Sequence, residues 1–348
     1  MIKYGKTPLV SGLALRDNLL AWTPDPPSSA FRATTKAAAR AWQTRSRRRL
    51  AQCLGDMPPR VPLKATTLEQ VECDGYTRTT LLLDTAPQLQ ALCWLCVPHG
   101  CARNSPAMIA TPGHGMGAKD LLAMDERGRP RMEGDGYQKD YALQVVRLGM
   151  PVLVVEPLGF GERRDALMMQ GKSLESGCHV AATMATMLGT TLAAIRVSDL
   201  RRALDWFVKQ PQVDPKRVGL MGISGGGQMT LWTAALEPRF KVAIVSGYVN
   251  RFADSVMGMH HCICNFAPGL ARHFDMSDLA AMVAPRPMLV ESGTKDDIFP
   301  IKASRAAVRT IRQHYGVFDA RDRVTHDVFE GEHQWSGRRL KSFLRKWL

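Results

Sequence analysis

Ser224 stands in the run GISGG (residues 222–226), after an apolar stretch and before one that reads as a helix. A serine hydroxyl is a weak nucleophile alone. It becomes effective when a histidine takes its proton and a carboxylate orients that histidine. The sequence supplies both types further along: Asp296 and Asp297 in ESGTKDDIFP, and His333 in FEGEHQWSG. Each candidate lies just past an apolar run, in the order serine, acid, histidine. That is the order expected when the nucleophile sits on a strand–helix turn and its partners occupy loops after later strands. The chemistry would be attack on a carbonyl, an acyl-serine, and its hydrolysis.

The glycines around Ser224 fit this use. A sharp strand-to-helix turn needs neighbours without side chains, and the helix that follows aims free N–H groups at the same spot. The competing account of such a turn is a phosphate-binding loop, but no lysine follows and G-x-G-x-x-G is not met. Asp296 is favoured over Asp297, which would serve as a turn or capping carboxylate. Among rival histidines, His326 falls within a strand and His314 within a helix. His260, His261 and His273 fall in a long connection and could line the pocket. Two donors are needed for an oxyanion. One is the backbone N–H of Gly225. The other is expected in TPGHGMG, from the backbone of His114, with Gly115 as the neighbouring alternative.

These residues need a scaffold. Residues 30–54 read as a helix rich in alanine and arginine. Three strand-like runs follow at 67–74, 78–85 and 90–98, separated by turn residues. From there short apolar strands (AMIATPG, PVLVVEP, RVGLMGIS, KVAIVSG, RPMLVESG, RVTHDVFEG) alternate with helical stretches at 138–149, 191–210, 225–236, 301–315 and 335–348. Continuous apolar strands alternating with helices predict a mostly parallel sheet covered on both faces, here with antiparallel strands at the front. Two connections, 157–189 and 247–285, are long enough to carry the ligand-facing surface. The organisation expected is an α/β catalytic domain, residues 61–348, preceded by a helical extension, residues 1–60.

Composition narrows the partners. The chain has 348 residues, 45% hydrophobic and 22% charged, with a net charge of +14. The basic residues are scattered, apart from RSRRR at 45–49 and the tail RRLKSFLRKWL, both on helix-like segments with apolar stripes. Solvated helix faces account for them, and no nucleic-acid-binding signature accompanies the charge. No apolar run is long enough for a membrane span. Lys3 and Lys6 before PLVSGLAL faintly resemble a secretory leader, but the run is short and no cleavage site follows. The reading is cytoplasmic, with secretion kept open. The eight cysteines read as free thiols. Cys93 and Cys96 form a C-x-x-C within a strand, where they would point to opposite faces and could not share a metal. MHHCICNFAPG (259–269) contains potential ligands without familiar spacing. Neither a metal nor a cofactor is expected.

TPGHGMG, EPLGFGERR (156–164), GISGGG, APRPMLVESGTKDDIFP (284–300) and GEHQW together resemble the α/β-hydrolase superfamily, from about residue 106 to the C-terminus. The GFGERR and APRP segments resemble its acetyl xylan esterase-like and dienelactone hydrolase-like branch, near the peptidase domain of prolyl oligopeptidases. The resemblance implies a serine esterase with Ser224, Asp296 and His333 as triad, His114 and Gly225 at the oxyanion positions, and a small-molecule ester of short acyl chain as substrate. Glu162 and Arg163 are read as pocket-wall or loop-bracing groups. Alternatives on the same triad are a peptidase, for which the N-terminal region is too short to form a propeller gate, or a lactone or thioester hydrolase. The alternative outside catalysis is a silent hydrolase fold that binds anionic partners.

Overall fold

A computed structural model describes residues 15–165 and 176–348. All but the last residue of the leader-like run (Lys3, Lys6 and PLVSGLAL, 8–15) and part of the 157–189 connection lie outside them. The strands are β1 (Ala65–Cys73), β2 (Tyr76–Ala86), β3 (Leu89–Pro98), β4 (Ser105–Thr111), β5 (Val152–Val155), β6 (Val213–Ile223), β7 (Ala243–Ser246), β8 (Met288–Gly293) and β9 (Val324–Phe329). The helices are α1 (Leu15–Leu20), α2 (Lys36–Leu54), α3 (Tyr141–Val146), α4 (Cys178–Met187), α5 (Leu192–Phe207), α6 (Gly225–Leu236), α7 (Leu270–His273), α8 (Met276–Val283), α9 (Ile301–Gly316) and α10 (Leu340–Trp347).

All nine strands form one sheet in the order β1-β2-β3-β5-β4-β6-β7-β8-β9. β1, β2, β3 and β5 pair antiparallel, and everything from β5 through β9 pairs parallel. The first connections are short turns, so neighbouring strands must reverse; the later ones carry helices, so strands re-enter in the same direction. β1 is an exposed edge with a register shift between Thr67 and Glu69.

β5 and β7 are buried along their whole length, as strands covered on both faces should be. Alternate residues serve opposite layers. Val152 and Val154 join the core under α3 and α10, whereas Leu153 and Val155 join the core under α5. Likewise Ile244 faces α10, and Ala243 and Val245 face α2, α6, α8 and α9. Cys93 and Cys96 fall in opposite cores, as the strand reading requires.

Helix ends follow their side chains. Thr35 and Thr191 cap α2 and α5 by accepting from the N–H groups of Ala38 and Ala194. Asp275 and Asp278 form a reciprocal capping box on α8. On α9 Ala303, Ala307, Val308, Ile311 and Tyr315 make one buried stripe. Three helices, α2, α3 and α10, are shorter than their sequence patterns suggest; α2 begins only at Lys36. α10 starts only at Leu340: Gly337 has a left-handed φ of 68°, which a right-handed helix does not admit, and Ser336 and Gly337 donate their N–H groups to the buried Glu291 carboxylate. α3 is confined to Tyr141–Val146. α2 lies against α6 and α8, with Gln43 Nε2 donating to the carbonyls of Ala281 and Ala284 and Arg47 to those of Ala235 and Met282.

Candidate active site

Ser224 lies between β6 and α6, at the N-cap, with φ 56° and ψ −120°, a conformation a non-glycine residue adopts only when its surroundings enforce it. The enforcement is visible in the neighbours. A Cβ on Gly222 would collide with the Gly226 carbonyl, and one on Gly226 with the Thr111 carbonyl. The strand, the helix and the loop after β4 therefore close to a distance that only glycines permit. Ser224 N–H donates to Ser246 O at 3.0 Å, fastening the turn to β7.

Asp296 follows β8 and His333 follows β9. Asp296 Oδ2 lies 2.8 Å from His333 Nδ1, with side-chain exposures of 2% and 16%. The other oxygen, Oδ1, accepts from the N–H groups of Ile298 (3.1 Å) and Phe299 (2.9 Å). Asp297 is exposed. His333 Nε2 is buried and has no hydrogen-bond partner among the described residues. Its ring is packed between Phe299 and Tyr137, with centroids 5.6 and 5.8 Å away. Ser224 and His333 open into one cavity of about 330 Å³. A larger cavity of about 670 Å³, between the β1–β2 turn and residues 122–133, contains none of these residues.

His114 and Gly225 border the same cavity as Ser224. Among the described residues neither backbone N–H has a protein acceptor. The loop carrying His114 is held from behind. Tyr137 Oη donates to His114 O at 2.5 Å, Gln138 Oε1 accepts from Gly113 N–H at 2.8 Å, and Gln138 Nε2 donates to Asp120 Oδ2 at 3.0 Å. The sequence singles out neither residue: Tyr137 sits in a polar, glycine-rich stretch without periodicity or motif, and Gln138 begins the helix-like stretch 138–149.

The other candidates separate. His260 and His261 line the cavity, and Ser255 Oγ is 3.2 Å from His261 Nε2. His273 lies elsewhere, 2.8 Å from Ser28 Oγ. His326 meets Ser292 Oγ and His314 meets the Ser277 carbonyl; burial lowers both imidazoles to about 4. Arg163 and Glu162 brace loops. Arg163 donates to the Glu156 carbonyl and to buried Asp199, and Glu162 pairs with Lys119.

Beside the cavity the His114 ring meets Cys178, Cys262 and Cys264, four donor atoms lying within 4.8 Å of one another. The reading that no metal is expected weighs only the spacing within 259–269; the four atoms gathered here come from three segments that meet only in the fold.

A serine-bearing turn between a parallel strand and a helix, with a carboxylate–histidine pair past the last two strands, is the arrangement of the α/β-hydrolase fold. The chain belongs to the Abhydrolase family, which it matches over residues 19–319. It is 30% identical to the Bacillus subtilis (strain 168) protein called "Putative hydrolase YtaP", over 87% of this chain and 98% of that one. A similar solved structure is that of a "putative acetyl xylan esterase" from Bacteroides fragilis NCTC 9343, at TM-score 0.76 and 17% identity, covering 95% of this chain and 84% of that one. A glucuronoyl esterase from Solibacter usitatus matches at TM-score 0.64 and 17% identity, covering 93% and 98% of the two chains. Among the described residues no helix is long and apolar enough to cross a membrane.

Proposed function

We propose that the protein hydrolyses carboxylic esters of short, uncharged acyl groups through Ser224, His333 and Asp296. The observation that carries this reading is the Asp296–His333 contact at 2.8 Å in the cavity that also holds the strained Ser224. Asp296 accepts from Nδ1–H and so leaves the Nε2 lone pair free to act as base. Nε2 takes the Ser224 proton as Oγ attacks the ester carbonyl. The tetrahedral oxyanion is received by the N–H groups of Gly225 and His114, both without competing acceptors. Protonated His333 then gives its proton to the leaving alcohol. Water, deprotonated by the same nitrogen, releases the acid from the acyl-serine.

The small cavity supports a short acyl group, and its lining of Tyr137, Asn265, Ile298 and Phe299 with histidines offers no lysine or arginine for an anion. Because structural relatives are named an acetyl xylan and a glucuronoyl esterase, carbohydrate esters are the first substrates to try. Ser224→Ala should reduce hydrolysis of p-nitrophenyl acetate to background and abolish labelling by a fluorophosphonate probe. A variant that keeps most of its turnover, or a wild-type protein that the probe leaves unmodified, would overturn the assignment.

A further inference from the structure

We propose that His114, Cys178, Cys262 and Cys264 form a four-ligand site for a zinc-like divalent metal that ties the loop after β4 to both long connections. In a tetrahedral zinc site, ligand bonds of about 2.3 Å to sulfur and 2.0 Å to nitrogen put sulfurs about 3.8 Å apart and sulfur about 3.5 Å from nitrogen. His114 Nε2 is 3.5 Å from Cys264 Sγ and 3.9 Å from Cys178 Sγ, and no two of the four donor atoms are more than 4.8 Å apart. The set therefore needs adjustments of about an ångström or less to close on an ion.

The surroundings match that charge. Arg196 is buried at 1% exposure, and its Nη2 donates to Cys178 Sγ at 3.1 Å and to the Leu158 carbonyl. Three thiolates, a dication and this guanidinium sum to neutrality, and a hydrogen bond to a ligating sulfur is the kind of outer contact that fixes ligand orientation. The thiols give up their protons to solvent as they ligate, and no electron transfer is involved. Gly225 supplies the space, since a Cβ there would lie 3.2 Å from the His114 ring. With four protein ligands the ion has no open position for substrate. Its role is structural: it fixes His114, and with it the backbone beside Ser224, to Cys178 at the start of α4 and to Cys262 and Cys264.

The test reads metal rather than hydrolysis, so it can fail independently of the esterase reading. Reduced full-length protein is incubated with zinc or cobalt, desalted and analysed for metal. One equivalent per chain is expected, with thiolate-to-cobalt charge transfer and the intense visible bands of a tetrahedral site. Cys264→Ser and Cys262→Ser should each bind at least about tenfold more weakly. Cys262 is only partly buried, so its variant should fold; Cys101→Ser, outside the cluster, should bind like the wild type. Substoichiometric metal on reduced wild-type protein, cobalt without sulfur charge transfer, a Cys262→Ser variant with unchanged affinity, or a disulfide among the three cysteines that reforms in preference to metal binding would each overturn the proposal.

Discussion

Asp296 divides its two oxygens between tasks: Oδ2 meets the imidazole, while Oδ1 holds the turn that leads into α9. Asp296→Asn keeps the shape but presents an amide to Nδ1 and favours the wrong tautomer. On the proposed triad, its kcat should fall by up to about 10⁴-fold with KM little changed. Asp297→Asn, on an exposed carboxylate, should leave both constants as they are; steady-state kinetics on one chromogenic ester distinguishes the two. The sequence narrowed the acid to this adjacent pair because the loop after an apolar strand is a recognisable place. Which of the two carboxylates faces the histidine depends on a turn whose backbone the sequence only hints at. Tyr137 marks the opposite limit. It holds the His114 carbonyl and flanks the His333 ring, but it does so from a loop with no pattern, so only the folded chain reveals it.

At the scale of elements, the turn between β6 and α6 determines where the Ser224 hydroxyl points. Gly226→Ala introduces a Cβ that collides with Thr111 O and lies 2.9 Å from the Pro112 carbonyl. Both contacts are backbone, so neither can swing aside. The variant should lose about 1–3 kcal/mol of stability, measured by urea unfolding, and lose turnover as β6, α6 and the His114 loop separate. The strand–helix order, and with it the positions of Ser224 and His333, was legible because buried parallel strands appear as unbroken apolar runs punctuated by glycine. The Cys₃His cluster was not. His114 is 64 residues from Cys178 and 150 from Cys264. No local spacing encodes a meeting of three distant segments.

For the whole molecule, the buried carboxyls set how stability responds to pH. Burial lifts Glu156 from 4.5 to about 8, against the Ala118 N–H that donates to both its oxygens, and lifts Glu291 to about 7. In the unfolded chain such groups lose their protons at ordinary glutamate values. Between the unfolded and folded values the folded state therefore binds more protons, and stability falls as pH rises through that window. Above the window in which the lowered His314 and His326 oppose this trend, thermal melts should show a lower Tm at about pH 9 than at about pH 7, and Glu156→Gln, which cannot ionise, should narrow that difference. A decline just as steep in the variant would assign the pH response to other groups. The exposed end of the sheet has its own consequence. β1 offers an unpaired row of backbone donors and acceptors, the kind of margin on which a foreign strand can add. Its register shift at Thr67–Glu69 and the charges of Glu69 and Glu72 spoil that margin as a template. The irregularity guards the protein against sticking to its own unfolded copies.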